Sequence, residues 1–163
     1  MVKYKKMSKA ENTFDSLGET LHLIVVNIHQ LSGAYHQRLQ AWTRKVGLTA
    51  PQWELMFAAA GENRTVPQLA RRMRLARQTV QRSADQIVRI GMASFRPNPD
   101  HQRSPYFVLS EEGRKALATI QDAMREQRGK YLEQNRVSRR DLEVTQRVLE
   151  SMQKFVDSTP PWK

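Results

Sequence analysis

Apolar side chains recur at Leu17, Leu21, Ile24, Ile28, Leu31 and Tyr35, in alternating steps of four and three. That spacing is a heptad seam and predicts one helix from Phe14 to Trp42, longer than a small domain needs for its own core. A seam of that length requires a partner helix, from the same chain or from a second copy.

Thr49-Ala-Pro-Gln52 predicts the start of a second helix. The Thr caps, the Pro is tolerated in the first turn, and the Gln reaches back to the capping residue. Trp53, Met56, Phe57 and Ala60 form its apolar face, and Gly61 ends it. The same signal at Thr65-Val-Pro-Gln68 opens a short helix, Gln68 to Met73, with Leu69, Ala70 and Met73 facing inward. A fourth helix is predicted from Arg77 to Ile90, burying Val80, Ala84, Ile87 and Val88, with Gly91 as its stop. The pattern then changes to two short strands, Ala93 to Arg96 and Tyr106 to Leu109, joined by the polar, proline-rich loop from Pro97 to Pro105.

Ser110 caps a fifth helix, with Glu111 and Glu112 where the helix dipole favours anions. Its inward face is Leu117, Ile120, Met124 and Tyr131. Ser138-Arg-Arg-Asp141 opens a sixth, carrying Leu142, Val148, Leu149, Met152, Phe155 and Val156. Two short helices, a tight turn and a two-stranded hairpin make a winged helix-turn-helix within a mainly α (α+β) chain. The second of those helices suits the ~12 Å major groove of duplex DNA, and the loop between the strands reaches the neighbouring backbone or minor groove.

Charge sharpens this picture. The 163 residues carry 27 Lys+Arg against 16 Asp+Glu, a net +11 that implies a polyanionic partner. Between Glu62 and Arg103 stand nine Arg, no Lys and three acids. Guanidinium forks pair bidentately with phosphate or guanine, so an all-Arg segment points to recognition, where a solvated basic face is the plainer reading. On the fourth helix the face opposite the buried stripe carries Arg77, Gln78, Gln81 and Arg82, with Thr79 adjacent. Arg suits guanine, Gln adenine, and Thr a thymine methyl.

Other chemistry is thin. The absence of Cys excludes disulfides, Cys-ligated zinc, iron–sulfur clusters and Cys nucleophiles. Glu111 and Glu112 are adjacent and point apart, which suits helix capping rather than a catalytic carboxylate pair. With no phosphate-binding Gly loop, Gly-x-Ser-x-Gly or His-Glu-x-x-His, the expectation is no enzyme and no cofactor. Lys3, Lys5, Lys6 and Lys9 precede no apolar segment, and no apolar run approaches the ~18 residues of a membrane span, so a soluble cytoplasmic protein is expected.

Leu48-Thr-Ala-Pro-Gln52, Leu69-Ala70, Arg77-Gln-Thr-Val-Gln-Arg82, Ile90-Gly-Met92 and Leu109-Ser-Glu-Glu-Gly113 together resemble the signature of the multiple-antibiotic-resistance regulator (MarR) family, over about Leu48 to Leu117. The resemblance implies a winged-helix transcription factor, usually a homodimeric repressor that loses DNA affinity on binding a small, commonly aromatic effector. It divides the chain into an N-terminal arm and dimerisation helix (1–46), a DNA-binding lobe (47–110) and C-terminal dimerisation helices (111–163), forming one intertwined domain. It would place Arg77, Gln78, Thr79, Gln81 and Arg82 in the major groove and Arg103 at the wing tip, with Arg96 among the DNA-binding residues. Three positions depart from the family pattern. Ala76 stands where a capping Ser is usual, Arg74 where a small residue is common, and His101-Gln-Arg103 replaces Asp-x-Arg, with Asp100 one place early. The alternative reading is a winged-helix protein whose Arg-rich face binds a protein partner or RNA; the scarcity of interleaved aromatics favours duplex DNA.

His22, His29 and His36 repeat every seven residues beside the first seam. Seven residues rise about 10.5 Å, too far for two of them to share a metal ion unaided, so a stripe flanking a dimer seam or a pocket wall is expected instead. Through His titration such a stripe would make dimer stability depend on pH. Trp42, Trp53, Met56 and Phe57 are first read as ordinary core. His36, Trp42, Trp53 and Phe57 are the candidates for an effector pocket.

Overall fold

The computed structural model describes residues 9–160. The described residues divide into two compact units, parted between Leu117 and Ala118. The first contains α1 (Lys9–Arg44), α2 (Ala50–Ala59), β1 (Arg64–Thr65), α3 (Val66–Met73), α4 (Arg77–Arg89), β2 (Ala93–Arg96), β3 (Tyr106–Leu109) and the start of α5 (Glu111–Asn135). The second holds the remainder of α5 and α6 (Arg139–Ser158).

Local capping sets the helix starts. The Thr49 amide donates to Gln52 Oε1 at 2.8 Å, and the Gln52 amide to Thr49 Oγ1 at 3.4 Å. The Thr65 amide donates to Gln68 Oε1 at 2.8 Å, so α3 begins at Val66, two residues earlier than the periodicity alone suggests. Gly91, at φ +77°, turns α4 into β2, and its amide donates to Val88 O. β2 and β3 coincide with the predicted strands.

The sheet has a third member that the sequence pattern does not reveal. β1 pairs antiparallel with β3, Arg64 opposite Phe107, giving the order β1-β3-β2. Phe107 is fully buried, with Phe95 edge-on to it at 6.0 Å. Leu55, Met56, Leu69, Val80, Ala84 and Ile87 join it in the core. Each large side chain among these contributes about 1.5–3 kcal/mol by leaving water. Val88, expected inward, is only half-buried.

The long helices keep much of their apolar surface in water. On α1, Leu17 is 61% and Leu31 70% exposed. Ile120 and Met124 of α5 are buried, but Tyr131, expected inward, is 56% exposed. α6 starts on a reciprocal Ser138–Asp141 capping pair and buries none of its residues; Phe155 and Val156 are more than two-thirds exposed. Its predicted apolar stripe exists but is left uncovered within a single chain.

Candidate nucleic-acid interface

α3 ends on Arg74, which adopts the left-handed conformation at φ 54° and ψ 38°. The Leu75 amide donates to Ala70 O at 3.0 Å, the long bond that closes a helix C-terminus against a left-handed residue. This sharp turn aims α4 across α3. α4 opens at Ala76 with no side-chain cap, as its residue type dictates, and the Thr79 and Val80 amides donate to Ala76 O.

Val80, Ala84 and Ile87 anchor α4 to the core, which leaves Arg77, Gln78, Thr79 and Arg82 exposed on the other side. Gln81 differs from that set. It is half-buried, and its Nε2 donates to Asp85 Oδ1 at 2.8 Å, so its amide is engaged along the helix. Arg64 is also engaged: its guanidinium donates to Ala58 O and pairs with Glu62, which removes it from the free cationic face.

The loop between β2 and β3 folds back on itself. The Ser104 amide donates to His101 O at 2.9 Å, closing a four-residue turn with Arg103 at its third position. Asn98, 6% exposed, holds this turn: its Nδ2 donates to Ser104 O at 3.0 Å, and its Oδ1 accepts from the Asp100 amide at 3.1 Å. Arg96 is exposed at the end of β2, in register with Tyr106.

Two clefts lie between the helices and this loop. One of about 700 Å³ is lined by Gln68, Arg71, Arg77, Asn98, His101 and Arg103, among others. The other, about 230 Å³, lies beside Pro67, Arg77, Gln81, Phe95 and Arg103. Arg77 and Arg103 therefore face both clefts, from α4 and from the loop. Arg71, counted in the sequence only as one of nine arginines, joins them from α3.

Residues 46–104 match the model of the MarR family. An uncharacterized protein of Mycobacterium tuberculosis and one of Mycobacterium bovis are each 36% identical to this chain over 104 residues, 64% of this chain and 73% of theirs. The fold superposes on the crystal structure of a MarR family transcription regulator with a TM-score of 0.79, at 20% identity, over 89% of this chain and 95% of that one. The chain belongs to the MarR family.

MarR proteins are transcriptional regulators rather than enzymes, and the winged helix-turn-helix described above is their fold. Two other MarR structures are similar in shape and distant in sequence. Staphylococcus aureus MarR, solved with salicylate and kanamycin, is 11% identical, with a TM-score of 0.75 over 91% of this chain and 97% of its own. A mutant Escherichia coli MarR, solved with operator DNA, is 17% identical, with a TM-score of 0.67 over 89% of this chain and 99% of its own. Among the described residues no helix is long and apolar enough to cross a membrane, and none of the His, Asp and Glu side chains cluster as a metal site would require.

The residues singled out for an effector lie on α1 and α2. Trp53 is buried and stacks on the half-exposed Phe57, with centroids 5.2 Å apart and planes 17° from parallel. Among the described residues Trp53 Nε1 has no hydrogen-bond partner. Trp42 is partly covered by the Arg38 guanidinium, 5.9 Å from its ring centre. His36 is exposed; its Nδ1 lies 3.5 Å from Glu54 Oε1, and it borders a shallow depression of about 390 Å³ that Trp42, Trp53 and Phe57 do not line.

Proposed function

We propose that this MarR-family chain is a homodimeric transcriptional repressor that reads a pseudo-palindromic duplex and is released by a small aromatic effector. Residues 47–110 form the DNA-reading lobe, and residues 1–46 and 111–163 build the dimer. The observation that carries this reading is the exposed face Arg77, Gln78, Thr79 and Arg82 on α4, set beside Arg103 of the wing. A helix presenting that face fits the major groove, while Arg96, Arg103 and Arg71 have the charge and reach for the flanking phosphates. Gln81 takes part by exchanging its bond to Asp85 for a base edge.

The uncovered apolar side chains of α1 and α6 support a second copy of this chain as their partner, because contiguous apolar surface of that kind is costly in water. Salicylate in the S. aureus structure supports an aromatic effector class. For this chain, His36, Trp42, Trp53 and Phe57 are the candidate effector residues, and the cytoplasm, where DNA is accessible, is the proposed location.

The test is selection from a random duplex library with the purified chain at about 150 mM salt, which suppresses non-specific phosphate binding. Enrichment of an inverted repeat with half-sites ~10 bp apart is the expected outcome. A folded, dimeric protein that enriches nothing, with or without phenolic acids, would overturn the reading in favour of a protein or RNA partner.

A further inference from the structure

Nine residues connect β2 to β3, and a surface loop of that length holds no fixed direction unless something ties it. Here a buried side chain supplies such a tie. Thr43, Thr65 and Asn98 are the buried polar side chains among the described residues, and only Asn98 belongs to the loop. Its polar groups are used three ways: Nδ2 donates to Ser104 O, Oδ1 accepts from the Asp100 amide, and its main-chain carbonyl accepts from the His101 amide at 3.2 Å. These bonds grip both sides of the turn that carries Arg103.

From this geometry we infer that Asn98 is the positioning residue of the wing, which aims the Arg103 guanidinium at the DNA backbone. The inference rests on the wing reading above and adds to it. His101 stands where the family pattern has an Asp two residues before the Arg, so this chain braces its wing from further back. Asp100, at 3.5 Å from the Tyr106 hydroxyl, ties the same segment to β3. Pro97, Pro99 and Pro105 stiffen the loop around the clamp without supplying any amide donor. Asn98 itself touches no nucleic acid. It acts only by removing the alternative directions in which Arg103 would otherwise point, and a charge that must be ordered on binding gives up part of its contact to entropy.

The test measures binding of full-length protein to mixed-sequence duplex DNA over a range of salt concentrations. Such DNA needs no known operator, and the slope of log affinity on log salt counts phosphate contacts. Arg103→Ala should lower that slope by about one contact per wing. Asn98→Ala should reproduce the effect, with affinity down roughly tenfold, about 1.4 kcal/mol. The double variant should fall no further, since the two residues act through one contact. Asn98→Ser, which stays uncharged, keeps a weaker acceptor for the Asp100 amide and is too short to reach Ser104 O, should fall between and covers the case in which the Ala variant does not fold. Additive losses, or an unchanged slope in a folded Asn98 variant while Arg103→Ala lowers it, would overturn the inference and leave the wing reading standing. An unchanged slope in Arg103→Ala itself would overturn both.

Discussion

Gly113, in the first turn of α5, lies so close to the carbonyl of Met92 that a β-carbon there would overlap the oxygen. The same carbonyl accepts the Ser110 amide at 3.1 Å, so the base of the wing and the start of α5 are closed against each other at one point. In a helix interior Gly→Ala ordinarily stabilises by about 1 kcal/mol. Here the sign reverses: the obstacle is backbone and cannot rotate away, and Gly113→Ala should cost about 1–3 kcal/mol. Urea denaturation would measure it, and a raised midpoint would contradict this packing.

Arg74 is held at positive φ in the turn between α3 and α4. A residue with a β-carbon is strained there by about 1–2 kcal/mol, part of which is offset because Gly loses more chain entropy on folding. Arg74→Gly should therefore raise stability by roughly 0.5–1 kcal/mol. A thermal midpoint at or below that of the parent would show that the Arg side chain contributes more than its backbone costs.

Two helix starts carry pH dependence. Bonds to the Ser138 hydroxyl and amide hold the Asp141 carboxyl below its ordinary value. Glu112 is lowered by its own main-chain N–H and then by the Ser110 hydroxyl. A carboxyl depressed in the folded state stabilises fully above its ordinary value, and that stabilisation is lost as the pH falls through the folded value. Ser138→Ala should thus be more damaging near pH ~7 than near pH ~2.5. Urea midpoints at both would check this; an equal deficit at the two pH values would contradict it.

Arg82 stands exposed on α4, one turn beyond Gln78. If it reads a guanine edge, Arg82→Ala should relax base preference at one position in each half-site and cost about 1–3 kcal/mol there. Selection repeated with the variant would reveal the relaxed position. An unchanged preference with unchanged affinity would mean that α4 meets DNA in a different register.

Phe155, near the end of α6, is 69% exposed in the single chain. In the proposed dimer it is covered by the second copy, so Phe155→Glu should shift sedimentation toward monomer by at least tenfold in dissociation constant, about 1.4 kcal/mol. A variant that sediments like the parent would place the dimer contact elsewhere.

The parts of the fold whose causes are local follow from residue type and spacing. The Thr49–Gln52 and Ser138–Asp141 boxes mark helix starts because their hydrogen bonds span three residues, and the 3.6-residue period of Val80, Ala84 and Ile87 fixes which side of α4 faces water. The left-handed turn at Arg74 shows in the sequence only as an unusual residue. Features that depend on distant partners arise only once the chain closes. β1 is two residues long and exists only because β3 pairs with it; Arg64 leaves the basic face because Ala58 O lies within reach; Asn98 becomes a clamp because the loop returns Ser104 to it. Gly113 is required by a carbonyl twenty-one residues earlier in the chain, at Met92. Such contacts depend on chain closure rather than spacing, so no residue pattern announces them. The seam on α1 is legible for the opposite reason, since its period is local.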